Sequence, residues 1–206
     1  MKITVLVPVG PKLRPEILEK AEGCARLARA ESGHELQFRW WNGVCLGADR
    51  IERLAAARNT MLAAAAGDGA DMYAFVDADV FYAPDTFDRL QLTGRDVVAP
   101  AVMVEDQEDR FYDTAGFQGL TGRHFGHQAP YLRDHHFERA ACLSVGTFYV
   151  FPAWLAETPG RYAAQPGPVE HQAFCASARR DGVAVYCDFG VRVFHANLPK
   201  YGERWH

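Results

Sequence analysis

This sequence predicts an α/β layer fold with a mixed, mainly parallel sheet flanked by helices, and three observations predict it. The chain opens on a continuous apolar run, residues 2–9, of the kind a strand needs when both faces are covered in a parallel sheet. Short apolar runs and helical patterns then alternate through the first half. The second half is mixed, with several strands and one clear helix.

The elements follow in order. Residues 2–9 are the first strand. The run breaks at Pro8 and Gly10 with no small-residue cleavage site after it, so it reads as a buried strand and not as a secretory leader. Pro15 opens a helix to about residue 30, with Ile17, Leu18, Ala21, Cys24 and Leu27 at helical spacing. Leu36, Phe38 and Trp40 alternate with polar residues and mark a second strand. Residues 50–66 form a long alanine-rich helix with Ile51, Leu54, Ala55, Arg58 and Leu62 on related faces, stopped by Gly67 and Gly69. A third strand, residues 72–76, ends at Asp77-Ala78-Asp79.

Pro84-Asp85 opens a short helix over residues 87–92, and residues 97–102 are a fourth strand. From 105 to 139 the periodicity dissolves into Gly, His, Asp and aromatic residues, a length that inside a domain usually marks function. Residues 142–151 read as a strand broken by Gly146, followed by a short helix near Pro152 and a Pro/Gly-rich loop, 158–168. A helix over 170–180 turns Phe174, Cys175 and Ala178 inward and stops at Gly182. Residues 183–187 and 191–195 are the last two strands. Ligands of such sheets bind at the carboxyl ends of strands, which points to the loops after Val9, Trp40, Val76 and Val102.

Composition narrows the classes of function. A chain of 206 residues suits one domain, and 49% hydrophobic with 23% charged residues is ordinary for a globular protein. The net charge of −4 weighs against gripping nucleic acid by counterion release. No apolar run reaches the ~18 residues of a membrane span. Five cysteines without C-x-x-C spacing read as free thiols in a reducing compartment, so the cytoplasm is expected.

The sharpest chemical feature is Asp77-Ala78-Asp79 at the end of the third strand. Alternation in an extended segment would put both carboxylates on one side, a pair able to hold a hard divalent cation that bridges phosphate oxygens. His195, after the last strand, offers an imidazole nitrogen to the same ion. Arg58 can donate to a phosphate or to those carboxylates. Trp40, Trp41 and Tyr82 are candidates to stack on a base, with core packing the plainer reading. Of His124, His127, His135 and His136, the H-x-x-H and H-H pattern lacks the cysteines and helix of a zinc site. It reads first as a solvated loop, with one or two histidines able to touch an acceptor.

Taken with Val7-Pro8-Val9-Gly10, Ala57-Arg58-Asn59, Val145-Gly146-Thr147-Phe148, Glu170-His171 and Val193-Phe194-His195, these motifs resemble the GT-A, Rossmann-like family of nucleotide-sugar-dependent glycosyltransferases. Arg110-Phe111-Tyr112-Asp113 resembles the acceptor-side loop of mannosyltransferase-like members. The resemblance implies one catalytic domain over 1–206, with a nucleotide-binding half, 1–103, and an acceptor half, 104–206. It implies Mn²⁺ or Mg²⁺ on Asp77, Asp79 and His195, and a UDP- or GDP-sugar held by Pro8, Val9, Gly10, Arg58, Asn59 and Ala78; Asp49 lies where a carboxylate can accept from the base or ribose of that donor. Asp113, Gly146 and Thr147 then face the acceptor, a molecule with a free hydroxyl, and the activity is hexosyl transfer.

Glu170-His171 stands where inverting members often carry Glu-Asp, whose aspartate takes the acceptor proton. Here His171 can serve as the base near neutral pH, or Glu170 if burial raises its pKa, or no dedicated base exists and the enzyme retains configuration. The rival readings are a nucleotidyltransferase, against which the first loop offers only Gly10 and Lys12, and a degenerate, non-catalytic nucleotide-sugar-binding module. A modified nucleic-acid base is a minor acceptor hypothesis, opposed by the acidic charge.

Overall fold

Ile3, Val5, Leu6 and Val7 are each at most 2% exposed, so the first strand is covered on both faces as its unbroken apolar run requires. The structure, a computed structural model, describes residues 1–43, 47, 49–132, 139–158, 161–162 and 169–196. In chain order its elements are β1 (Lys2–Pro8), α1 (Pro15–Glu31), β2 (Glu35–Trp41), α2 (Arg50–Ala65), β3 (Met72–Val76), β4 (Val80–Phe81), α3 (Thr86–Arg89) and β5 (Val97–Val104). They continue with β6 (Gln107–Phe111), β7 (Gln118–Gly119), β8 (Arg139–Ser144), β9 (Phe148–Pro152), a 3₁₀ turn (Ala153–Glu157), α4 (Glu170–Arg180) and β10 (Val185–His195).

The sheet runs in the order β2-β1-β3-β9-β5-β10-β8-β7, with β4 paired to β10 and β6 to β5. The pairs β1·β2, β1·β3 and β5·β10 are parallel, while β9 and β8 run against their neighbours. The expected halves, 1–103 and 104–206, are interleaved: β9 lies between β3 and β5, and β10 beside β5. That arrangement brings the ends of β1, β3 and β10 and the start of β9 to one edge of the sheet.

Several elements differ from their sequence reading. The last two strands are a single β10 whose register against β5 shifts between Asp188 and Arg192, because Gly190 and the Asp188 turn form a bulge and not an end. The strand broken at Gly146 is two strands in different places, β8 beside β10 and β9 between β3 and β5. Inside the stretch from 105 to 139 lie β6 and β7, and α3 ends at Arg89, earlier than the expected residue 92. Cys142, Cys175 and Cys187 are buried free thiols, Cys24 is half-buried and free, and Cys45 lies outside the described residues. Among the described residues no helix is long and apolar enough to cross a membrane.

Candidate active site

The segment after β3 is a tight turn: the Val80 amide donates to the Asp77 carbonyl at 3.0 Å. Ala78 is buried and the two aspartates are half-buried, but the turn, unlike an extended strand, sends them to different partners. Asp77 faces Arg58. Asp79 is carried toward β10, because β4 begins one residue later and pairs Val80 with His195. The Ala196 amide donates to the Asp79 carbonyl at 2.8 Å, and Nε2 of His195 stands 3.2 Å from Oδ2 of Asp79. Thus the three-ligand set expected from the sequence appears as a pair, and no group of three His, Cys, Asp or Glu side chains is gathered for a metal among the described residues.

The pair itself fits a divalent cation. Nδ1 of His195 lies 2.9 Å from the Ala196 carbonyl, so that nitrogen carries a hydrogen, and Nε2 is the one turned to Asp79, where it would be offered to an ion. Two ligands about 2.1 Å from one ion and at right angles to it are about 3 Å apart, close to the spacing found here. Burial alone would lower the His195 pKa, but the hydrogen bond and charge of Asp79, with the Ala196 carbonyl and Asp77, together outweigh it and raise the pKa. The Tyr112 ring lies flat on the imidazole, with centroids 3.6 Å apart and planes 13° from parallel.

Arg58 organises the other side. Its alanine neighbours let α2 pack closely, and the side chain, 1% exposed, runs inward between β3 and α4. Nη2 donates to Asp77 Oδ1 at 2.7 Å, Nε to Glu170 Oε1 at 3.2 Å, and the guanidinium lies 4.9 Å from the Phe75 ring centre. Nη1 is buried and has no partner among the described residues. The Glu170 carboxyl is pushed up by burial but pulled down further by His171 and Arg58, to about 2. This corrects the expectation that burial raises Glu170 into the range of a base: it is the counter-ion of Arg58. His171 is buried and its pKa is lowered by that burial, which favours the neutral ring. Its Nε2 is 3.4 Å from Arg58 Nη2 and its Nδ1 3.4 Å from the Tyr149 hydroxyl.

Gly146 explains itself by what crowds it. A Cβ there would lie 2.6 Å from Asp113 Oδ2 and 2.9 Å from His171 Cδ2, so the carboxylate and the imidazole edge converge over a bare backbone. The next residue, Thr147, has φ 63°, a left-handed conformation unusual for a β-branched side chain. Its carbonyl accepts from the Asp77 amide at 3.0 Å, its hydroxyl donates to Asp113, and the Gly116 amide donates to Asp113 at 2.7 Å. Thr147 therefore joins the Asp77 turn to the Asp113 carboxylate.

The remaining nucleotide-side candidates are more dispersed. Pro8, Val9 and Gly10 lie at the end of β1, with the Val9 amide bonded to the Trp41 carbonyl at 2.7 Å and open space where a Gly10 Cβ would point. Asp49 caps α2, accepting from the Glu52 amide at 2.8 Å. Asn59 clasps the backbone of Tyr162 through both ends of its amide, at 3.1 and 3.2 Å. Trp40 and Trp41 are half-buried against the core, while Tyr82 packs on Phe87 and Phe148. His127 bonds the Phe111 carbonyl at 2.9 Å, and His135 and His136 lie outside the described residues. Sequence reasoning passed over Tyr112 as a partner of His195 and Tyr149 as a partner of His171. Only Tyr112's place beside Asp113 hinted at the first, and nothing local hinted at the second.

The fold is GT-A. The catalytic domain of Drosophila β1,4-galactosyltransferase 7, in complex with xylobiose, is similar with a TM-score of 0.56 at 14% identity, covering 98% of this chain and 73% of that one. A mutant of that enzyme in complex with manganese, UDP-Gal and xylobiose gives 0.54 with the same identity and coverage. A nucleoside-diphosphate-sugar pyrophosphorylase from Vibrio cholerae RC9 gives 0.52 at 8% identity, covering 97% and 98%. At such identities the likeness is one of fold. No protein-family model matches the chain, and no curated protein does.

Proposed function

We propose that this protein is a divalent-metal-dependent glycosyltransferase that moves a sugar, a hexose in the reading favoured here, from a nucleotide-sugar donor to a hydroxyl acceptor. The observation that carries the proposal is the Asp79–His195 pair, 3.2 Å apart at the carboxyl edge of a GT-A sheet. When bound, Mn²⁺ or Mg²⁺ would supply Lewis-acid stabilisation of the charge developing on the departing nucleoside diphosphate. Asp79 and His195 would hold it, while Asp77 is turned to Arg58. The buried Arg58 would supply a fixed positive charge beside that group. Pro8, Val9, Gly10 and Ala78 line the nucleotide side. There Asp49 and Asn59 act through the α2 cap and the Tyr162 backbone.

On the acceptor side, Asp113 receives the acceptor hydroxyl. Gly116 and Thr147 orient its carboxylate, and Gly146, having no side chain, lets that carboxylate lie close against the backbone. His171, neutral and within the same cluster, is the second group able to take a proton.

The test is a thermal-shift panel of nucleoside diphosphates and nucleotide sugars with and without Mn²⁺, followed by donor hydrolysis. One nucleotide should stabilise the protein only with metal, and Asp79→Ala should abolish both that shift and hydrolysis. Silence across the whole panel would overturn the proposal. The pyrophosphorylase likeness favours a second reading, nucleotidyl transfer, which pyrophosphate release from a nucleoside triphosphate and a sugar phosphate would establish. Metal-dependent binding without any turnover would mark a non-catalytic module.

A further inference from the structure

We infer that Tyr112 is a positioning residue for the metal-side histidine: its ring fixes the plane of the His195 imidazole so that Nε2 stays aimed beside Asp79. The inference rests on the metal-holding reading of Asp79 and His195 proposed above.

An imidazole can fail as a ligand in two ways, by rotating about its own axis or by tipping out of plane. The Nδ1 contact to the Ala196 carbonyl at 2.9 Å resists the first. That contact lies in the ring plane, so it does little against the second. The face of the ring is what Tyr112 covers, at a centroid separation of 3.6 Å and nearly parallel. His195 is 3% exposed although it lies at the end of a strand, and the tyrosine contributes to that cover.

Tyr112 is itself held. It follows β6, and its amide donates to the Val102 carbonyl of β5 at 2.7 Å, which carries the chain across β5 toward β10. The next residue is Asp113, bonded to Gly116 and Thr147, and the Thr147 carbonyl accepts from the Asp77 amide. A closed circuit results: Asp79, His195, Tyr112, Asp113, Thr147, Asp77. Residues 112 and 113 are thus the strut between the two ends of the site. Groups that orient a ligand from outside the coordination sphere typically change metal affinity 10–100-fold when removed.

The experiment measures Mn²⁺ binding by calorimetry, in the presence of UDP or GDP, for the wild type, Tyr112→Phe and Tyr112→Leu, without recourse to turnover. Phenylalanine keeps the stacked face and should bind within about twofold of the wild type. Leucine removes it and should weaken binding at least about tenfold. In the metal-free protein, the His195 ring C–H resonances, assigned with His195→Gln, should lie upfield in the wild type and in Tyr112→Phe. They should move downfield in Tyr112→Leu. That reading needs no metal, and the wild-type position alone tests the stack if the leucine variant does not fold. Equal Mn²⁺ affinity in Tyr112→Leu and the wild type overturns the inference and leaves the metal reading intact. A wild type that binds no Mn²⁺ under any of these conditions overturns the metal reading, and the inference with it.

Discussion

Arg58 places Nη2 2.7 Å from Oδ1 of Asp77 while its side chain is only 2% exposed. A guanidinium taken that far out of water is sustained by its two carboxylates and by the Phe75 face, and Glu170 is as buried as the arginine itself. Removing the cation alone strands the Glu170 carboxylate, a defect that costs about 3–5 kcal/mol in buried pairs. Arg58→Met should therefore lower Tm by roughly 6 °C or more, at about 2–4 °C per kcal/mol for a chain of this size. The double variant Arg58→Met/Glu170→Gln should recover part of that loss, because the stranded charge is gone. The comparison is thermal unfolding against exposed Arg95→Met, for which less than about 0.5 kcal/mol is expected. If both single arginine variants melt alike, the buried network has no stabilising role.

The same network sets an acid limit. Glu170 has a folded pKa of about 2 against an ordinary 4.5, so the folded state binds the proton less readily than the unfolded state. Its contribution is fully present above about pH 4.5 and is lost as pH falls from there toward 2, on the order of 3 kcal/mol in all. Urea unfolding of the wild type should steepen in its pH dependence across that window. In Glu170→Gln the slope should flatten, since the titrating group is absent. Equal slopes would show that other carboxyls account for the acid loss.

Glycine substitutions separate crowding from contact. Gly146→Ala puts a methyl within 3 Å of Asp113 Oδ2 and His171 Cδ2, so one of them must move. At Gly10 nothing lies within 4 Å, and Gly10→Ala should leave Tm within about 1–2 °C of the wild type. Gly146→Ala should cut acceptor-dependent turnover by about tenfold or more, while nucleotide binding by thermal shift is retained. A loss of nucleotide binding in Gly10→Ala at unchanged Tm would report a ligand contact at the end of β1.

How much of this was legible in the sequence follows from what each feature depends on. β1 and β3 were readable as unbroken apolar runs, and α1, β2 and α2 because each is long enough for its apolar period to repeat. β4 and β7, two residues each, have no period to detect, yet β4 is what brings Asp79 alongside His195. The site residues were legible as types but not as partners. Asp77 and Asp79 diverge because of a turn hydrogen bond, and Glu170 loses its basic character to the neighbouring His171 and to an arginine 112 positions away in sequence. Contacts at that separation are set by the sheet order, which interleaves the two halves of the chain. No local pattern encodes them.

Thr147 allows strain and function to be told apart. Its φ of 63° costs a non-glycine residue about 1–2 kcal/mol, and its hydroxyl bond to the Asp113 carboxylate returns about 1.5–3 kcal/mol. Thr147→Gly removes both, so Tm should stay near the wild type while Asp113 loses its anchor. Thr147→Val keeps the left-handed strain and the shape but has no hydroxyl, so it should be destabilised by about 2 kcal/mol and also lose the anchor. Thr147→Ser keeps the hydroxyl and should match the wild type in both respects. Acceptor KM and kcat, set beside thermal unfolding, then give a pattern that stability alone cannot produce: glycine stable but impaired, valine unstable and impaired, serine intact. Full acceptor-dependent kcat/KM in Thr147→Gly would mean that the orientation of Asp113 has no part in the reaction.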